Sequence, residues 1–235
     1  MNHSKKAAYL IRFITYIFYH MAILMNLSVK KVGTKGDIYS LRYLRAIRRK
    51  IDRTKSTMNV ISLVRDPIAR EISNIFHNMR FYTELMNDTG GVNTEKTVDH
   101  LNSYFANYDE ESDYVCTWFD KEILDTFKID VYAIPFDHSR AYSIVANDQA
   151  KLLLLRMEDL PVVFTEAIKD FIGLTVPLIR SNEASSKEYY EAYKVVSRRI
   201  ILPQAVCERV YASRFAQHFY SNKLRSDFVK KWTSN

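Results

Sequence analysis

The segment MNVISLV, residues 58–64, is a run of apolar and β-branched positions, the pattern of a strand buried on both faces. The run stops at Arg65. Asp66 and Pro67 follow, and apolar positions then recur with helical spacing through about Arg80. Asp66 is a natural N-cap, and Pro67 suits the first helical position, where no N–H is needed. Arg70 stands four residues after Asp66, the spacing of a local ion pair.

The same pattern continues along the chain. IDVYAIPF (129–136) predicts a strand ended by Pro135, and AKLLLLRM (150–157) predicts another. LPVVFTEAIKDFIGL (160–174) predicts a helix closed near Gly173. From about Ser185 onward the periodicity is helical, with KEYYEAYKVVSRRIIL and PQAVCERVYASRFAQHFY separated at Pro203. Upstream, IYSLRYLRAIRRKID places Ile38, Leu41, Leu44 and Ile47 three apart, with Arg42, Arg45, Arg48 and Arg49 on other faces. Strands alternating with helices predict an α/β fold: three layers, a central and mostly parallel sheet flanked by helices, and a helical C-terminal part. One domain over 1–235 is expected. It comprises an N-terminal helix and connector (1–37), an α/β core (38–182) and the helical part (183–235).

Composition narrows the class. Apolar residues make up 47% of 235, enough for a sizeable core, and five Gly with five Pro exclude a low-complexity chain. Cys116 and Cys207 have no metal-ligand spacing, which favours a reduced cytoplasmic chain over one with a single disulfide. The net charge of +7 is unevenly spread. Residues 1–56 hold thirteen Lys/Arg against Asp37 and Asp52, a balance of +11, and the remainder is −4. A basic N-terminal face can meet phosphates, a polyanionic glycan or an anionic membrane, or simply be solvated. No nucleic-acid-binding module accompanies the arginines, so nucleic acid is not an expected partner. Residues 7–27 are mostly apolar and near the length of a membrane span, but Arg12 interrupts them. A buried or amphipathic helix is the first expectation there. A membrane anchor and an interfacial helix are the alternatives.

A strand that feeds a helix through a tight turn sets the helix N-terminus at the carboxyl edge of a sheet, where α/β proteins bind ligands. Helix N-termini favour anions, and an arginine at the strand end adds a fork suited to phosphate. Ala69, Ser73 and His77 form one row of the helix, with Arg70 beside it. Arg65, Ser73 and Arg70 are therefore the candidate anion-binding residues. His77 is the candidate general base, since an ordinary imidazole pKa of ~6.5 suits that task.

LVRDPIAREISNIF, with arginine at the strand end and serine eight positions later, resembles the 3′-phosphate-binding strand–loop–helix of sulfotransferases. That family takes 3′-phosphoadenosine 5′-phosphosulfate (PAPS) as donor. LLLLRMEDL (152–160) is similar to a late strand and acidic turn of carbohydrate sulfotransferases. WFDKEILDTFKIDVYAIPFD (118–137) and VYASRFAQHFYSNKLRSDFVKKW (210–232) are similar to bacterial capsular polysaccharide synthesis proteins. The resemblance spans roughly residues 40–232. It implies that Arg65 and Ser73 contact the donor's 3′-phosphate and that a carbohydrate hydroxyl is the acceptor.

Glu158 and Asp159 would orient a basic side chain, assist the acceptor, or serve as a cap or surface pair. Trp118, Phe119 and Asp120 either border an acceptor cleft or belong to the core. The family's N-terminal Lys- and Gly/Ser/Thr-rich loop, which cradles the 5′-phosphosulfate, has only a weak counterpart in KKVGTKGD, with no apolar strand leading into it. The expected functions are accordingly a PAPS-dependent carbohydrate sulfotransferase, a truncated and inactive relative that binds nucleotide or a protein partner, or a membrane-anchored glycan-modifying protein.

Overall fold

The computed structural model describes residue 53 and residues 57–179 and 187–234. The expectations for the apolar segment 7–27, for KKVGTKGD and for the Arg-rich helix from Ile38 lie outside the described residues. Strand β1 (Met58–Val64) leads into helix α1 (Pro67–His77). Then come α2 (Thr94–Ala106) and α3 (Tyr114–Trp118), which runs on through a π-helical segment, Phe119–Leu124. Strands β2 (Tyr142–Ala146) and β3 (Ala150–Arg156) follow, and α4 (Leu160–Ile172) after them. The C-terminal part is helical: α5 (Tyr190–Arg199), α6 (Gln204–Tyr211), α7 (Arg214–Phe219) and α8 (Asn222–Thr233).

The described strands form one small mixed sheet in the order β1–β3–β2. β1 and β3 are parallel, with Met58 opposite Ala150 and Val64 opposite Arg156. β2 runs antiparallel to β3. The expected mostly parallel central sheet is thus corrected to a mixed one among the described residues. The reason is local: only residues 147–149 join β2 to β3, far too few for a parallel crossover. Asn147 closes that turn by accepting from the N–H groups of Gln149 and Ala150, each at 2.9 Å.

β3 explains its own leucines. As the central strand it is covered on both sides, and Leu152 through Leu155 are all at most 1% exposed. Side chains alternate across the sheet. Leu152 and Leu154 join a core with α1 and the C-terminal helices, through Ile68, Ile72, Phe76, Val196, Val210 and Phe215. Leu153 and Leu155 join a second core with α4, through Ala167, Ile168 and Phe171.

Two further expectations change. Residues 129–136 are not a strand. Asp130 accepts from the N–H groups of Tyr132 and Ala133 and folds Val131–Ala133 into a 3-10 turn. The first helix ends at His77 rather than Arg80, and a separate 3-10 turn, Met79–Phe81, follows it. Gly173 does close α4, in the left-handed conformation at φ 71°.

Candidate functional site

The parallel pairing of β1 with β3 brings their carboxyl ends side by side, and the candidate site grows from that edge. Asp66 is 1% exposed and caps α1, its carboxylate accepting from the Ile68 N–H at 3.0 Å. The same carboxylate accepts from the Tyr211 hydroxyl at 2.6 Å and from the Trp232 indole N–H at 2.9 Å. One side chain thus fixes the strand–helix junction and ties α6 and α8 to it.

Arg65 leaves the edge and runs along the side of α1. Its Nη1 donates to the Ser73 hydroxyl oxygen at 2.6 Å. Ser73 stands six residues beyond Pro67, about 9 Å along the helix axis, so the arginine lies back over two turns to reach it. α5 adds a third group, the Tyr193 phenol. Burial alone would raise its pKa, but hydrogen bonds with Ser73 and Arg65, together with the Arg65 charge, lower it overall. The Tyr193 ring stands edge-on to Phe76 at 5.4 Å between centroids, which fixes the phenol against α1. Nothing in the sequence marked Tyr193 out from the other C-terminal tyrosines.

The first turn of α1 is less open to anions than its position suggests. The Asp66 N–H donates to Glu158 Oε1 at 2.7 Å, and the Ile68 N–H goes to Asp66 itself. Two carboxylates therefore stand where a phosphate would meet the helix N-terminus, and the cationic surface lies further along, at Arg65 and Ser73. Glu158 is exposed by area, yet its carboxylate turns inward. Tyr220 donates to its Oε2 at 3.3 Å. Burial raises the Glu158 pKa, and the nearby Asp66 charge adds to that, against the opposing Asp66 N–H bond and Arg65 charge. Asp159 holds Arg156, accepting from its Nε at 2.7 Å. Arg156 also donates to the His138 carbonyl at 3.3 Å, and its buried Nη1 has no partner among the described residues.

The other expected site residues go elsewhere. Arg70 does not pair with Asp66. Its guanidinium meets Asp113 at 3.3 Å and Glu71 at 3.2 Å, on the face of α1 turned toward α2. Burial opposes its charge, but those two carboxylates outweigh it and hold the pKa above the ordinary value. His77 lies in the last turn of α1, one turn beyond Ser73. Desolvation, then the charges of Lys187 and Arg80, lower its pKa and favour the neutral imidazole. Phe119 is 3% exposed and packs among Phe215 and Phe219, while Asp120 pairs with Arg214, so this stretch belongs to the core and its rim. Both cysteines are buried and free. Among the described residues, no group of three or more His, Cys, Asp or Glu could hold a metal ion, and no helix is long and apolar enough to cross a membrane.

Residues 90–221 match the model of the NKWYS family, described as "Putative capsular polysaccharide synthesis protein", and that span is more than half of the 235 residues. The chain belongs to this family. No curated protein and no solved structure matches it. Arg65, Asp66 and Ser73 precede the matched NKWYS segment, whereas Arg156, Glu158, Tyr193, Tyr211 and Tyr220 lie inside it. The site is thus assembled from a strand–helix unit before the matched span, from strand ends and helices within it, and from Trp232 of α8 beyond it.

Proposed function

We propose that this NKWYS protein transfers a sulfuryl group from PAPS to a carbohydrate hydroxyl, with Arg65 and Ser73 holding the 3′-phosphate of the donor. The observation that carries the proposal is the 2.6 Å bond between them. The Ser73 oxygen accepts from Arg65 and both groups bond the Tyr193 phenol, so the three form one polar cluster whose Ser73 proton would turn from the phenol to an incoming phosphate. A guanidinium has five N–H groups, so Arg65 keeps charge-assisted donors beyond those it gives Ser73 and Tyr193. A phosphate lying along the flank of α1 would take both, with the Tyr193 phenol next to them. The family description, capsular polysaccharide synthesis, supports a glycan as acceptor.

PAPS supplies the sulfuryl group and leaves as adenosine 3′,5′-bisphosphate. The acceptor oxygen bonds to sulfur as the sulfur–oxygen bond to the 5′-phosphate breaks, and the hydroxyl proton passes to a base. His77 is the proposed base, held neutral by its surroundings on the helix row of Ser73. By analogy with phosphoryl transfer, positioning and charge stabilisation supply most of the rate.

Calorimetric titration of the full chain with adenosine 3′,5′-bisphosphate tests the donor site. The wild type is expected to bind. Arg65→Ala removes at least one hydrogen bond from a charged donor, worth about 1.5–3 kcal/mol, so affinity should fall at least about tenfold. Ser73→Ala should lose less. A wild type that does not bind the bisphosphate removes the proposal. A turnover assay with labelled donor and mixed glycans then separates a working transferase from a relative that only binds nucleotide.

A further inference from the structure

On the face of α1 that carries Arg70, Glu71 and Asn74, beside the row of Ser73, a polar groove runs between α1, α2 and the loop of residues 107–113. Its larger part has a volume of about 330 Å³ and is lined by His100, Ser103, Tyr104, Asn107, Asp109 and Asp113, among others. An adjoining part of about 150 Å³ is lined by Arg70, Glu71 and Asn74, and shares Tyr104, Ser112 and Asp113 with the first. The larger volume lies near the lower end of the ~300–1,000 Å³ usual for ligand sites. The groove has no part in the donor site.

The wall is built to keep its shape. Asp113 caps α3 through the Val115 N–H at 2.9 Å and receives Arg70 on both carboxylate oxygens at 3.3 Å. Asp109 accepts from the N–H groups of Glu111 and Ser112 at 3.3 and 3.2 Å, and its carbonyl accepts from the Asp113 N–H at 3.0 Å. The Asn107 side-chain amide donates to the Ser103 carbonyl at 2.9 Å. A preformed wall spares a ligand the cost of ordering it. Among the described residues the Ser103 hydroxyl and the Asn107 amide oxygen take no internal hydrogen bond and are exposed.

The lining excludes most ligand classes. Its arginine is already engaged by Asp113 and Glu71, and Asp109 adds a further carboxylate, so an anion gains nothing there. Val115 is the one aliphatic side chain, too little for a lipid or an apolar cofactor. What remains is a set of hydroxyl, amide and carboxylate groups beside phenol rings. Such groups bond to neighbouring hydroxyls, and a ring face takes the C–H face of a pyranose. We propose that this groove binds a neutral, hydroxyl-rich saccharide and is the seat of the acceptor glycan. The acceptor role rests on the sulfuryl-transfer proposal; saccharide binding does not.

Affinity electrophoresis of the full chain through gels containing dextran, starch, galactomannan or dextran sulfate tests it. At least one neutral polysaccharide should retard the wild type. Ser103→Trp, an exposed position whose new ring fills the groove, should weaken that retardation at least tenfold. Thermal melting and bisphosphate titration should stay unchanged. Asn107→Trp serves as the second blocking variant if Ser103→Trp fails to fold. The proposal is overturned if no neutral polysaccharide retards the wild type, if the blocking variant migrates like wild type, or if dextran sulfate alone retards it. Bisphosphate binding without saccharide retardation sinks the groove and leaves the donor site standing. Retardation that Ser103→Trp abolishes, with no bisphosphate binding, does the reverse.

Discussion

Replacing Asp66 with alanine should be among the most damaging single changes in this protein. Three donors converge on its carboxylate: the Ile68 N–H, the Tyr211 hydroxyl and the Trp232 indole. Loss of the helix cap costs about 0.5–2 kcal/mol. Tyr211 and Trp232 are 3% and 4% exposed, so water cannot readily replace the lost acceptor. Each buried donor left unpaired costs about 1–3 kcal/mol. The contributions share one side chain and do not simply add, so a loss of about 3–6 kcal/mol is expected, a large part of the ~5–15 kcal/mol that a domain possesses.

Urea unfolding followed by tryptophan fluorescence is the assay. With a slope of ~1–3 kcal/mol/M, the midpoint should fall by at least about 1 M. Asp66→Asn, which keeps one acceptor oxygen but turns a donor toward Tyr211 or Trp232, should lie between alanine and wild type. A double-mutant cycle isolates the network: Tyr211→Phe should be costly in the wild type and nearly neutral beside Asp66→Ala. An alanine variant within about 0.5 kcal/mol of wild type, the range of ordinary surface changes, would refute the whole account of the junction.

Two further outcomes are expected. The Glu158 pKa is raised on folding, so the stability it lends is present below the ordinary carboxyl range and is lost as pH rises through the elevated value. Glu158→Gln should therefore remove a decline in stability above pH ~4.5, read from urea midpoints measured across pH; an unchanged pH profile would contradict the burial of that carboxylate. Burial pushes the Cys116 thiol up to about 12, with the Asp113 charge adding to it, and the Cys207 thiol up to about 11. Disulfide-exchange reagents at pH 8 should leave both unmodified in the native chain and label both in urea, and rapid native labelling would show the core open there.

Much of the site was legible because it is local. A strand end, a cap and a serine two helical turns on are separated by eight residues, and helix geometry alone brings Arg65 to Ser73. The partner of Arg70 was not legible. Asp66 has the helical spacing, but it is drawn inward by Tyr211 and Trp232, and Asp113 arrives from the loop before α3 to take the arginine. The strand expected at 129–136 failed because Asp130 offers its backbone a turn instead. β2 was missed because it is a short hairpin partner, and its antiparallel pairing makes the sheet mixed.

The amino-acid pattern by itself determined the strands at 58–64 and 150–156, the cap at Asp66, the close of α4 at Gly173 and the helical C-terminal part, although burial on both faces holds for 150–156 and not for 58–64, which is half-buried at the end of the described sheet. Each depends on periodicity or on contacts within a few residues. Only the tertiary structure decided that Tyr193 joins Arg65 and Ser73, that Glu158 takes the Asp66 N–H from 92 residues away, and that Tyr211 and Trp232 close over the junction from 145 and 166 residues away. Which buried donor meets which acceptor at such separations is settled by how the helices pack on the sheet, because several pairings satisfy the same local pattern and only one fills the core.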